Sequence, residues 1–193
     1  MFVTKHPNQS AGEEIASSIS HGIGFLAAIA TIPILVVTAA RRDDVPEIVG
    51  GAIFTATMVV LYLASTLCHA WPQTRTKQFL RIVDYGAIFL LIAGTYTPFT
   101  LGVLNGGWGW TLFGVVWELA VTGVILKIAL GARYLRLSIA VYILMGWLVL
   151  ITVKPLLTHV PAWGLFWLLA GGLAHTGGVF FYNAGHLRYS HFV

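Results

Sequence analysis

The chain contains one cysteine, Cys68, which excludes an intrachain disulfide and any cysteine-cluster metal site. Charge is scarce too. Asp, Glu, Lys and Arg make up 9% of the 193 residues, against roughly 25% in a soluble domain. Such a chain is solvated mainly by lipid, and no nucleic-acid partner is expected of it. Low-complexity segments, interdomain linkers and convincing internal repeats are all absent, so residues 1–193 read as a single integral membrane domain. No cleavable signal is expected either. Residues 1–18 are polar, carry Glu13 and Glu14, and lack a short apolar core before a small-residue cleavage site. The first spanning helix is therefore expected to act as its own insertion signal.

What the chain does have is apolar length. Hydrophobic residues make up 58% of it and its mean hydropathy is +0.83. Six apolar stretches, at 19–40, 48–69, 82–104, 108–126, 137–153 and 162–181, each approach the roughly 20 residues that a bilayer requires of a helix. Their connections are short, as suits antiparallel neighbours. The predicted fold is an all-α, polytopic transmembrane bundle of six spans. Ser10 followed by Glu13 reads as a capping box, starting a helix near Ala11.

Basic residues orient the bundle. With the N-terminus inside, Lys5, Arg75, Lys77, Arg81, Lys127, Arg133, Arg136 and Arg188 lie on the inner side. Only Arg41, Arg42 and Lys154 lie outside, where Asp43 and Asp44 offset the arginines. Eight against three places the N-terminus in the cytoplasm. Trp108, Trp110 and Trp163 at outer boundaries and Trp71 at an inner one fit an aromatic belt.

On that topology the polar residues gather at the inner face. Ser65 and His69 close the second stretch, four residues apart and so on one helical face. Residues 71–80 read as a turn that returns the chain to the same boundary, where Asp84 opens the third stretch. Glu13, Glu14 and His21 begin the first, and His186 and His191 follow the sixth. His69 with His191 suggests zinc, since imidazole is a common zinc ligand and a catalytic zinc lowers the pKa of a bound water. Asp84 would then orient a ligand or take a proton, and Ser65 would hydrogen-bond water or a substrate carbonyl. The competing reading is a set of interfacial side chains that cap helix ends and meet headgroup water. Spacing alone leaves both open.

Other polar and small residues carry blander expectations. Glu118, near the middle of the fourth stretch, is costly if ionised there; it reads as a protonated side chain bonded between helices, or as part of a proton path. His175 reads as a packed, hydrogen-bonded histidine. Pro98 should kink the third helix, and Gly171, Gly172, Gly177 and Gly178 should let the last helix approach its neighbours closely.

Taken in order, these stretches resemble the hemolysin III family, within the progestin and adiponectin receptor superfamily. The resemblance rests on Glu13-Glu14-Ile15-Ala16-Ser17-Ser18-Ile19-Ser20-His21-Gly22, Ser65-Thr66-Leu67-Cys68-His69 and Asp84. It extends through Ala93-Gly94-Thr95-Tyr96-Thr97-Pro98-Phe99, Gly107-Trp108-Gly109-Trp110, Arg136-Leu137-Ser138, Met145-Gly146-Trp147 and Phe181-Tyr182. It implies seven helices, an inside N-terminus and a zinc site near the cytoplasmic face, with His69 as the second helix's ligand and Asp84 and Ser65 close to the metal. Family members carry His-x-x-x-His at the start of helix 7. Here the chain reaches the first of these, His191, and stops at Val193. The chain is thus expected to lack the seventh helix and to hold zinc less firmly with His69 and His191 alone. Ser17 stands where the family often has asparagine, and Glu118 belongs to no family motif.

The resemblance implies three activities. The first is enzymatic, a zinc-dependent hydrolysis of a lipid amide or ester, through the superfamily's similarity to membrane ceramidases. The second is cytolytic pore formation, and the third a non-enzymatic, receptor-like regulation of membrane lipid state. In each the partners are membrane lipids and the location is the cell (inner, plasma) membrane. The charge bias predicts that a reporter fused after Val193 is cytoplasmic. A periplasmic signal from that fusion would overturn the inside N-terminus or the six-span count.

Overall fold

The computed structural model describes residues 10–41, 44–104, 106–131 and 135–183. Seven α-helices follow one another there: α1 (Ala11–Ala40), α2 (Val45–Ala70), α3 (Arg75–Pro98), α4 (Gly107–Leu130), α5 (Leu135–Trp147), α6 (Val153–His159) and α7 (Ala162–Asn183). A π-helical turn, Phe99–Val103, prolongs α3, and a 3-10 segment, Leu148–Thr152, joins α5 to α6. No strand occurs among the described residues. Six segments are long and apolar enough to cross a membrane, α5, the 3-10 segment and α6 together making the fifth. The fold is an all-α polytopic membrane bundle.

Local chemistry sets the helix starts. Ser10 and Glu13 form the expected capping box: the Glu13 carboxylate accepts from the Ser10 backbone at 2.8 Å, and Ser10 Oγ accepts from the Glu13 backbone at 3.3 Å. Asp44 caps α2, its carboxylate accepting from the Glu47 amide at 3.1 Å, with Pro46 in the first turn. Thr74 caps α3 by accepting from the Lys77 amide at 3.4 Å. Gly131 leaves α4 at φ +63°, a conformation that a side chain would strain.

The cap at Thr74 corrects the expected turn over 71–80. Only Trp71–Thr74 turns, and α3 begins seven residues before the apolar stretch does. Residues 75–81 are rich in polar side chains but form good helix, so hydropathy missed them. Asp84 therefore lies nine residues inside α3, about 14 Å along its axis at 1.5 Å per residue. The fifth span likewise runs on past residue 153 to His159, through Lys154.

Successive spans run antiparallel. A Cβ at Gly24 of α1 would meet the Tyr62 ring of α2, and one at Gly50 of α2 would lie 2.7 Å from Pro98 at the far end of α3. Gly94 faces Thr57, and Gly123 of α4 faces the Phe89 ring. These are close approaches between neighbouring helices. In α7, additions at Gly171, Gly177 and Gly178 would meet nothing among the described residues, and Gly172 makes only ordinary contact with Trp147. The glycines expected to draw α7 inward do not do so. Two other expectations shift. Glu118 lies exposed on α4 rather than between helices, and Nε2 of His175 is buried with no hydrogen-bond partner among the described residues.

α3 is the central helix. Half of its span is buried, whereas none of the α7 span is, and it packs on α2, α4 and α5. Phe89, Ile92, Ala93 and Tyr96 of α3 meet Val116 and Ala120 of α4 and Tyr142 and Met145 of α5. Large apolar side chains such as Ile15, Leu26, Ile125, Leu144 and Phe180 face outward, as lipid contact demands.

The break after α5 exposes backbone that no helix satisfies, and in lipid such groups cost several kcal/mol each. Tyr96 answers it. Its hydroxyl lies 2.7 Å from the Met145 carbonyl and 2.9 Å from that of Gly146, and accepts from the Val149 amide at 2.9 Å. Tyr96→Phe should therefore cost about 1–3 kcal/mol, the toll of stranding a buried partner. Unfolding in detergent micelles should show the loss, and an unchanged transition would mean that water serves this break.

Candidate functional site

Three helices meet where α1 begins, α2 ends and α3 begins. Antiparallel packing brings Glu14 of α1 onto His69 of α2: Nδ1 donates to Glu14 Oε2 at 2.8 Å. The other carboxylate oxygen, Oε1, accepts from Lys77 Nζ of α3 at 2.7 Å and from Gln73 at 3.4 Å. One carboxylate thus ties three helices together. Side-chain exposure is 13% for Glu14, 15% for His69 and 4% for Lys77, so water screens these charges little.

The His21 ring stacks parallel on His69, centroids 5.6 Å apart and planes 9° apart, and tilts against Tyr62 at 6.1 Å. Glu14 and His21 are seven residues apart, two turns along one face of α1. Ser17 lies on that face between them, its hydroxyl buried and without a hydrogen-bond partner among the described residues. Across from His69, Asp84 of α3 is buried and interacts with His69, with the Ser65 hydroxyl and with Arg81.

Of the residues expected from sequence, Ser65, His69 and Asp84 are brought together, and Glu14 and His21 join them. Glu13 instead caps α1 at Ser10. His191, expected as a metal ligand, lies outside the described residues, as does His186. Lys77 was missed. Its signal was available: Lys77, Arg81 and Asp84 repeat at i, i+4 and i+7, one helical face, once the helix is started at the Thr74 cap.

Geometry also assigns a state to the histidine. With a carboxylate accepting at Nδ1, a ring proton sits there, and in the neutral ring Nε2 is then the nitrogen with the lone pair that could bind a metal. Buttressing by Glu14 on one side and by the His21 ring on another holds that nitrogen in place. These donors fit a metal in part: His69 Nε2 and Asp84 are suitable ligands on neighbouring helices. Among the described residues, however, no group of three or more His, Cys, Asp and Glu side chains gathers to hold one.

Six apolar spans with a charge-paired polar site at one end of α1, α2 and α3 define a polytopic membrane protein that keeps reactive groups at a bilayer boundary. The chain belongs to the hemolysin III family: residues 9–188 match the family described as Haemolysin-III related. It is 44% identical over 179 residues to the Hemolysin-3 homolog of Bacillus subtilis (strain 168), covering 93% of this chain and 84% of that protein. It is 39% identical over 183 residues to Hemolysin-3 of Bacillus cereus, covering 95% and 84% respectively. No solved structure matches it.

The shared carboxylate makes a testable claim. Glu14→Ala strands a nearly buried lysine and Lys77→Met leaves the carboxylate with only His69 and the long Gln73 contact. Breaking a pair buried in this way costs about 3–5 kcal/mol. Each single change should lower stability in micelles, and the double change should cost less than the sum of the two. Additive losses would show that the two groups do not interact.

Proposed function

We propose that this protein is a lipid-acting membrane hydrolase that uses zinc at the cytoplasmic face of the cell membrane. Its ligands would be His69 and His191, with Asp84 and Ser65 serving the chemistry. The observation that carries the reading is the 2.8 Å contact from Glu14 to His69 Nδ1, which in the neutral ring makes Nε2 the ligating nitrogen, on a residue that interacts with Asp84.

Zinc, when bound, would acidify a water and polarise a carbonyl. The protein's own groups supply the rest. His69 presents Nε2 in a fixed orientation. Asp84 accepts a proton from water on one side of an amide or ester and can return it to the leaving group. Ser65, one turn deeper than His69, donates a hydrogen bond to the substrate carbonyl. Ile15, Ile19 and Ile23 of α1 and Leu67 of α2 are exposed apolar side chains, along which an acyl chain would approach the site, so a membrane lipid is the fitting substrate and partner.

A second reading, membrane lysis, is favoured by the names of the two Bacillus relatives. Against it, the hydroxyls of Thr55, Thr57, Thr66, Thr95 and Thr97 are spent on carbonyls of their own helices, and so do not offer themselves as a pore lining.

The test is zinc per chain by elemental analysis, with affinity-tag histidines removed, alongside hydrolysis of a fluorescent lipid amide in proteoliposomes. His69→Ala should lose zinc by more than the roughly 10–100-fold that follows from disturbing a ligand's supporting partner. Asp84→Asn should keep most of the zinc and lose turnover. Zinc held equally well without His69 would overturn the proposal. The same vesicles, loaded with a small dye, should stay tight; leakage that grows with protein density would favour lysis instead.

A further inference from the structure

A buried lysine on the other side of α3 has no part in the site above. Lys127, one turn before the end of α4, is 3% exposed. Its Nζ has no hydrogen-bond partner among the described residues, and its nearest aromatic companion is the Tyr85 ring, 5.0 Å from Nζ to centroid. A cation–π contact of that kind offsets only part of the cost of burying an ammonium group. A helix in lipid keeps a cation only where an anion or water answers it.

The lysine lines a cavity of about 150 Å³ between α3, α4 and α5. Phe89, Gly123 and Val141 wall it, and Thr122 and Ser138 add hydroxyl-bearing residues to the lining. Leu126, Leu130 and Leu137 line it as well, and all three are exposed on the bundle surface. The cavity therefore opens towards lipid. Cavities of about this volume with apolar walls take up small apolar molecules, so this one accommodates a segment of an acyl chain rather than a whole lipid. Antiparallel packing puts the end of α4 at the same membrane boundary as the start of α3, the depth at which lipid phosphates meet acyl chains.

We infer that this cavity is a binding site for an anionic phospholipid, the Lys127 side chain turning its ammonium from the Tyr85 ring to pair with the headgroup phosphate while the walls take the adjoining acyl carbons. Charge complementarity selects the anion, and the opening to lipid selects a molecule already in the leaflet over a solute from water. The inference does not depend on zinc or on hydrolysis.

The experiment is native mass spectrometry of the delipidated full chain, titrated with dioleoyl phosphatidylglycerol or dioleoyl phosphatidylcholine. The wild type should bind the anionic lipid at least about fivefold more tightly, since one charge near an anionic surface contributes about 1 kcal/mol. Lys127→Met should erase that preference, and Lys127→Arg should retain it. Val141→Trp, which fills the cavity and leaves the charge, should also abolish it. Inorganic phosphate at millimolar concentration should not displace the lipid; if it does, the site reads free phosphate and the lipid assignment falls. Equal affinity for the two lipids, or a preference that survives both Lys127→Met and Val141→Trp, overturns the inference.

Discussion

The Glu14 carboxylate is the interaction on which the site end of this bundle depends. Its two oxygens face different helices, one taking the His69 proton at 2.8 Å and the other the Lys77 ammonium at 2.7 Å. Apolar contact positions helices only loosely in lipid, because lipid tails are as apolar as the side chains they would replace. A charged hydrogen bond in a poorly screened place is directional, and it fixes both the register of α1 on α2 and the approach of α3. The same bond decides which histidine nitrogen is available. Architecture and chemistry therefore rest on one side chain.

Polar groups elsewhere in the bundle follow two patterns. Thr31, Thr38, Thr55, Thr66 and Thr97 return their hydroxyls to carbonyls three or four residues earlier in the same helix, which satisfies them locally. Glu14, Tyr96, Trp117 and Tyr142 instead bond across helices. The second group holds the fold together. Trp117 donates to Thr97 at 3.1 Å and Tyr142 donates to the Tyr85 carbonyl at 2.7 Å, so α3 receives a polar contact from α1, α4 and α5 in turn. Tyr96 adds the repair of the α5 break. Burial of half the α3 span follows from this role as the common partner.

Much of this protein was determined by its sequence alone. Six apolar stretches separated by short polar turns leave a bilayer-spanning helical bundle as the only way to hide their backbones, and the Ser10–Glu13 cap is a local arrangement that needs no tertiary partner. Ser65 with His69 was legible because residues four apart share a helical face, and Asp84 because consecutive spans return the chain to the boundary it left. The start of α3 was not legible from hydropathy: residues 75–81 are held as helix by the Thr74 cap and by contact with α1, through Lys77 on Glu14. The tertiary structure also decided that Glu14, and not Glu13, serves the site, since only rotation of α1 against α2 chooses between adjacent carboxylates 100° apart. In the same way it stacked His21 on His69, turned Glu118 outward and left the α7 glycines without a neighbour. Periodicity says which residues share a face of one helix; which face meets another helix is settled only when the bundle packs.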